Sequence, residues 1–228
     1  MTAMWTKICG ITNLQDAQAV ADAQGSAIGL NFYAKSQRYV TPIKARAIRD
    51  SVDGRTEVVG VFVNSSADEV SEIVDQTGLT AVQFHGDEHD DVLRRFHHLQ
   101  PETAIIRAVR ADPEACDPMI DALRQTARAV PLSAILVDAC VRGEFGGTGE
   151  RAAVSVVNTL TQMRELPRLI VAGGLTADNV RAAVQQLAPW GVDTASGVET
   201  RPGIKDGRLV AEFIRNAGCD RTSALKLK

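Results

Sequence analysis

Leu169-Ile170-Val171-Ala172-Gly173-Gly174-Leu175-Thr176, followed by Val180, Ala183, Val184 and Leu187, reads as one complete strand–turn–helix unit. The first four residues are a short apolar run, as a strand buried on both faces requires. Two glycines make the turn and Thr176 offers an N-cap oxygen. Apolar residues then recur at helical spacing over 176–188. The same order runs through the chain. Trp5–Gly10, Ala27–Phe32, Glu57–Val63, Thr80–Phe84, Ala104–Val109, Ala134–Asp138 and Gly191–Ser196 are further strand candidates. Helical stretches separate them, such as 13–24 with Leu14, Ala17, Val20 and Ala21 on one stripe. Thr12 or Asn13, Thr41 before Pro42, and Ser65 or Ser66 stand where caps are wanted, and Gly25, Gly78 and Gly191 where a left-handed helix exit is expected.

Eight strands alternating with eight helices imply an α/β protein with a parallel sheet covered by helices. At about 28 residues per unit, a single (β/α)8 TIM barrel fits the 228 residues. A doubly wound open sheet satisfies the same periodicity. No linker interrupts the pattern, so 1–217 reads as one barrel and the polar, basic 218–228 as a flexible tail.

Composition narrows the function. Lys plus Arg is 25 against 28 for Asp plus Glu, a net charge of −3. A nucleic-acid or anionic-membrane binder would carry a basic surplus, so neither partner is expected. The four cysteines, Cys9, Cys116, Cys140 and Cys219, form no C-x-x-C pair. Neither a zinc ribbon nor a redox pair is indicated. Met1–Lys7 lacks the order of a secretory signal and no apolar run is long enough to span a membrane, so a cytoplasmic location is expected.

In a barrel, reacting groups sit at the C-terminal ends of strands. Cys9 ends the first strand just before Gly10 and a helix start. Lys7, two residues earlier, shares its face. Both the helix terminus and the ammonium would favour a thiolate; the plainer alternative is a small core residue. Asp138 ends the sixth strand, where an acid is either capping a loop or exchanging protons. Gly173-Gly174 and Ser196-Gly197 follow the last two large strands and suit a phosphate cradle. Gly147-x-Gly149-x-x-Ala152 has the form of a dinucleotide fingerprint, but eight residues separate Asp138 from Gly147 and no acid follows at ribose distance. A loop that closes over substrate is the better reading. Arg38, in the long loop after the second strand, has the fork to hold a carboxylate. His85 and His89 lie four apart without a third ligand, so no metal site is expected.

These residues carry a family resemblance. Lys7-Ile8-Cys9-Gly10-Ile11-Thr12, Val59-Gly60-Val61-Phe62-Val63-Asn64, Val82-Gln83-Phe84-His85-Gly86, Leu136-Val137-Asp138-Ala139, Gly146-Gly147-Thr148-Gly149, Ala172-Gly173-Gly174-Leu175, and Ser196-Gly197-Val198-Glu199 with Pro202-Gly203-Ile204-Lys205-Asp206 resemble, in order, the motifs of the phosphoribosylanthranilate isomerases. The resemblance runs from residue 5 to about 215. It implies a (β/α)8 barrel performing an Amadori rearrangement in tryptophan biosynthesis, without metal or organic cofactor. It implies Cys9 as general base and Asp138 as general acid. Arg38 would hold the anthranilate carboxylate, Gly174, Leu175, Ser196 and Gly197 the phosphate, with Lys7 and Gly147 also at the substrate. The implied partner is a small sugar phosphate, on a monomer or homodimer.

Four departures from the family pattern stand out: Gln37 where proline is usual, Asn31 where an apolar residue is commoner, Glu150-Arg151-Ala152 for Phe-Asp-Trp, and Ala195 for serine. By the resemblance, the Arg38 loop and the loop after the sixth strand border the aromatic end of the substrate. A divergent paralogue acting on a related aminoaldose phosphate is therefore an alternative. A non-catalytic phosphate-binding barrel is another. Among other sugar-phosphate barrels, an epimerase would need metal ligands, and a two-aspartate isomerase would need an acid at Cys9.

Overall fold

The computed structural model describes residues 4–52, 54–112, 114–138, 148–218 and 226–227, the side chains of 148–153 excepted. Eight parallel strands close on themselves: β1 (Trp5–Cys9), β2 (Ala27–Asn31), β3 (Glu57–Phe62), β4 (Ala81–Phe84), β5 (Ala104–Arg110), β6 (Ala134–Asp138), β7 (Arg168–Ala172) and β8 (Gly191–Thr194). β1 pairs with both β2 and β8, matching Lys7 to Ala27 and to Asp193. That closure removes the open-sheet alternative. The helices are α1 (Leu14–Asp22), α2 (Pro42–Ser51), α3 (Ala67–Thr77), α4 (Asp90–Leu99), α5 (Cys116–Ala129), α6 (Thr148–Gln162), α7 (Val180–Leu187) and α8 (Gly207–Asn216). Between β8 and α8 run a 3-10 turn, Ser196–Val198, and a small hairpin of β9 (Glu199–Arg201) and β10 (Ile204–Lys205), which periodicity did not announce. Among the described residues no helix is long and apolar enough to cross a membrane.

The caps follow the sequence. Asn13, not Thr12, accepts from the Asp16 N–H, and Thr41 accepts from Lys44 ahead of Pro42. Ser66 and Glu69 complete a capping box. Thr176 and Asn179 bond each other reciprocally and start the turn that leads into α7. Gly78 is left-handed at the end of α3, as expected. Gly25 and Gly191 are not. Their exits turn on Gln24 (φ 63°) and Ala188 (φ 43°). These two glycines instead make room: a Cβ would stand 2.6 Å from Val20 at Gly25 and 2.9 Å from the Trp5 ring at Gly191.

Strand residues alternate between the barrel interior and the helices. Outward residues such as Ile8, Ile28, Val82 and Ile135 pack against Val20, Ile48, Val70, Leu93 and Phe213 of the helices. Inward, Trp5, Val59, Ile106, Leu136 and Ile170 interleave with Ala27, Ala81, Ala104 and Ala134, filling the interior with alternating bulk. Of the stretch expected to be a flexible tail beyond Gly218, Lys226 and Leu227 are described. Leu227 is buried at 4% exposure within this inner cluster. Its N–H donates to the Glu57 carboxylate, and Arg168 donates to the Lys226 carbonyl. An open ring of apolar strand starts needs a cover, and a leucine held by two charged groups supplies one.

Candidate active site

Alternation along the strands decides what meets at the open end. Trp5, Lys7 and Cys9 point inward in succession along β1, as do Ala134, Leu136 and Asp138 along β6. At the C-terminal strand ends, Cys9, Asn31, Val61, Gln83, Asp138, Ala172 and Asp193 line one cavity of about 430 Å³. His85 and Gly173, Gly174, Ala195 and Ser196 of the following loops complete its wall. A larger cleft of about 500 Å³ lies at the opposite end, lined by Ser26, Thr56, Glu57 and Lys226. The Gly54 and Glu57 of its lining stand at the N-terminal side of β3 and not at a C-terminal strand end, and in barrels that face serves stability.

Glycines create the space for the site. A Cβ on Gly29 would lie 2.7 Å from the Cys9 Sγ and 3.0 Å from its Cα, so β2 must carry glycine for the thiol to point inward. A Cβ on Gly197 would lie 1.9 Å from the Leu175 carbonyl oxygen. The loops after β7 and β8 therefore touch backbone to backbone, and the Thr194 hydroxyl donates to that same carbonyl at 2.6 Å. Gly173 and Gly174 are both left-handed, at φ 96° and 70°, which turns the chain back over the strand ends. Leu175 is itself buried, so any part it takes in binding runs through its backbone.

The floor is charged. Lys7 is fully buried, with Nζ 2.8 Å from Asp193 Oδ1. The two groups form a buried ion pair within the barrel. Burial disfavours the Lys7 ammonium, the charge of Asp193 favours it, and the balance lies above the ordinary lysine value. For Cys9 the balance is opposite. Burial pushes the thiol above its ordinary value; Lys7 pulls it down, and Asp193 pushes it up again. Lys7 favours the anion, as its place on the same face suggests, but desolvation is larger and Asp193 works against it. His85 is held below its usual value, first by burial and then by the Lys7 charge, so its ring is neutral at pH 7. Its Nδ1 lies 2.6 Å from Gln83 Nε2.

Arg38 comes to the rim at 25% side-chain exposure, bonded to Glu199. Cys9, Asp138, Gly174 and Ser196 line the cavity, Lys7 is buried beneath it against Asp193, and Leu175 and Gly197 lie in the adjoining loop contact. Gly147 lies outside the described residues. His89 caps α4 from the surface while His85 faces the cavity, so the pair is not one site. Among the described residues, no three His, Cys, Asp or Glu side chains gather as a metal would need.

Sequence reasoning missed Asp193, Gln83, Glu199 and Lys205. Asp193 carried a usable signal, an acid at an inward position near the end of an apolar strand, like Asp138. Gln83 carried the same parity. Glu199 and Lys205 become legible only through the hairpin that brings them back over β1.

Comparison with known proteins supplies the chemistry. Residues 6–216 match the family model described as N-(5'phosphoribosyl)anthranilate (PRA) isomerase. An N-(5'-phosphoribosyl)anthranilate isomerase of Thermotoga neapolitana is 42% identical over 212 residues, 92% of this chain and 97% of the relative. The crystal structure of phosphoribosyl anthranilate isomerase from Thermotoga maritima superposes with a TM-score of 0.79 at 33% identity, covering 94% of this chain and 98% of the other. A structure of such an isomerase in complex with reduced 1-(o-carboxyphenylamino)-1-deoxyribulose 5-phosphate gives 0.77 at 34% identity, with 94% and 98% coverage.

Proposed function

The chain belongs to the N-(5'-phosphoribosyl)anthranilate isomerase family, and from that premise we propose which of its residues perform the reaction. It is an isomerase of tryptophan biosynthesis that converts an aminoaldose phosphate to an aminoketose phosphate. Asp138 gives a proton to the ribose ring oxygen as the C1–O bond breaks, and the anilino nitrogen becomes an iminium. The iminium acidifies the C2 hydrogen, which Cys9 removes as thiolate. The electron pair moves into C1=C2 and neutralises the nitrogen, leaving an enolamine. Loss of the C2 hydroxyl proton and protonation at C1 then give the ketone. The electron sink lies within the substrate, so the protein need only hold the molecule and move protons.

The observation that carries this reading is convergence: a strand-end thiol and a strand-end carboxylic acid face one cavity whose far wall is two glycine loops in backbone contact. We assign the phosphate to the loops of Gly174, Leu175, Ser196 and Gly197. The carboxylate goes to Arg38, and the floor beside the ribose to Lys7. Because Cys9 rests as a thiol, it must lose a proton before it acts, and a base of this kind needs a reducing compartment. That supports a cytoplasmic location. No observation favours the divergent-paralogue or non-catalytic readings.

The test is a label-transfer experiment with N-(5-phosphoribosyl)anthranilate deuterated at C2. The expected result is conversion to the aminoketose with a primary isotope effect on the chemical step, and conversion slowed by about 10²–10⁴-fold in Cys9→Ala. Conversion by that variant at a rate within a few-fold of wild type would overturn Cys9 as the base.

A further inference from the structure

Arg38 is tightly held. Its Nε donates to Glu199 Oε1 at 2.8 Å and its Nη2 to Oε2 at 2.6 Å. This fork uses the lateral edge of the guanidinium. Glu199 Oε1 also accepts from Lys205 Nζ at 2.8 Å and from the Gly203 N–H at 3.1 Å. Lys205, with a fully buried side chain, donates further to the carbonyls of Cys9 at 2.6 Å and Ala195 at 2.9 Å. One ammonium thus joins the end of β1 and the segment after β8 to the carboxylate that grips Arg38. The arginine stem lies across Gly10, where a Cβ would stand 2.3 Å from Arg38 Cδ. Glu199 is 4% exposed and carries one negative charge against two positive ones, so the trio presents a surplus positive charge beside Cys9. Burial pushes the Glu199 carboxyl up, but hydrogen bonds from Arg38 and Lys205 outweigh it and keep the group ionised.

We propose that Glu199 is a positioning residue that fixes which edge of Arg38 meets the substrate, and thereby sets the preference for an aryl carboxylate. The inference rests on the reading of Arg38 as the carboxylate ligand. With Nε and one Nη2 hydrogen engaged, the terminal edge formed by Nη1 and Nη2 remains as a fork. A planar carboxylate fits that fork with two parallel bonds. An arginine free to rotate would offer it in many orientations. The Lys205 bonds tie the same assembly to the backbone of Cys9, so the aryl end is held in register with the base. A loop without the usual proline, carrying Gln37, gains its rigidity from this ion cluster.

The experiment compares two substrates, N-(5-phosphoribosyl)anthranilate and the aniline analogue that lacks the carboxylate, with wild type, Glu199→Gln, Glu199→Asp and Arg38→Met. The ratio of kcat/KM for the two substrates is independent of the fraction of protein folded. The expected result is a ratio about tenfold smaller in Glu199→Gln, through a higher KM for the anthranilate substrate, and abolished in Arg38→Met. Glu199→Asp keeps the charge but withdraws it from the fork, and should fall between wild type and Arg38→Met, which keeps the test open if the glutamine variant does not fold. An unchanged ratio in the Glu199 variants alongside a lost ratio in Arg38→Met overturns the positioning role alone. An unchanged ratio in Arg38→Met overturns the Arg38 reading and this inference with it.

Discussion

The two ends of the barrel are built from the same strands and the same inward parity, yet they are opposite in chemistry. At the N-terminal end the inward positions are Trp5, Ala27, Ala81 and Ala104, covered by Leu227 and by Trp190 stacked 5.4 Å from Trp5. At the C-terminal end they are Cys9, Asn31, Gln83, Asp138 and Asp193, around open space. One end hides apolar surface from water and contributes stability. The other buries polar groups with incomplete bonding, which costs stability and is kept for catalysis. Lys7 sits at the boundary, one layer above Trp5 and one below Cys9. The division predicts that substitutions at the open end change rate more than stability, and that those at the closed end do the reverse.

The largest effects belong to the proton-transfer groups. Cys9→Ala and Asp138→Asn should each lower kcat by about 10²–10⁴-fold, measured as aminoaldose turnover, with thermal unfolding little changed. Turnover within a few-fold of wild type in either variant would remove that residue from its role. The next effects are steric. Gly197→Ala drives a methyl into the Leu175 carbonyl and must part the two phosphate loops. Gly29→Ala displaces the Cys9 thiol. A shift near 1 Å in either place should cost roughly 100-fold in kcat/KM. The two are separable: Gly197→Ala should raise the inhibition constant of inorganic phosphate, whereas Gly29→Ala should leave it alone. Equal phosphate inhibition in both variants and wild type would place the phosphate elsewhere.

A smaller effect concerns the thiol itself. Burial raises its pKa, so alkylation of Cys9 by iodoacetamide, taken as the difference between wild type and Cys9→Ala, should have its midpoint above that of an ordinary thiol. The signs of the neighbours follow from their charges. Lys7→Met removes a cation that favours the thiolate and should move the midpoint further up. Asp193→Asn removes an anion that opposes it and should move the midpoint down. A midpoint at or below the ordinary thiol value would mean that the pair, not burial, dominates the site.

The contrast between the ends also explains what the sequence could say. Strand runs such as Ala134–Asp138, and the cap and exit glycine of the helix Ala67–Thr77, are local patterns, and they were legible. Barrel closure was not, because it rests on β1 meeting β8, a contact between the first and last strands. Cys9 and Asp138 were legible because position at a strand end is local information. The sign of the Cys9 shift was not, because it depends on how much solvent the closed barrel excludes. Glu199 and Lys205 stood in a quoted motif without a role, since their partners lie about 160 and 196 residues away in sequence.

The closed end gives the weakest but cleanest test of the division. Leu227 is an apolar side chain on a short segment, held by Glu57 and Arg168 and packed into the inner cluster. The same Glu57 carboxylate accepts from the Trp5 indole at 3.0 Å, and Arg168 lies over Trp190 at 4.9 Å, so the leucine joins a cover already assembled from the strands. Leu227→Ala therefore exposes part of that ring without breaking a strand. Burying one leucine contributes about 1.5–3 kcal/mol, which for a chain of this size lowers Tm by several degrees. kcat and KM should not change, since the full length of the barrel interior separates Leu227 from Cys9. A drop in kcat/KM as large as that of Gly29→Ala, at a temperature where the variant is fully folded, would show that the two ends are coupled and that the interior does not insulate them.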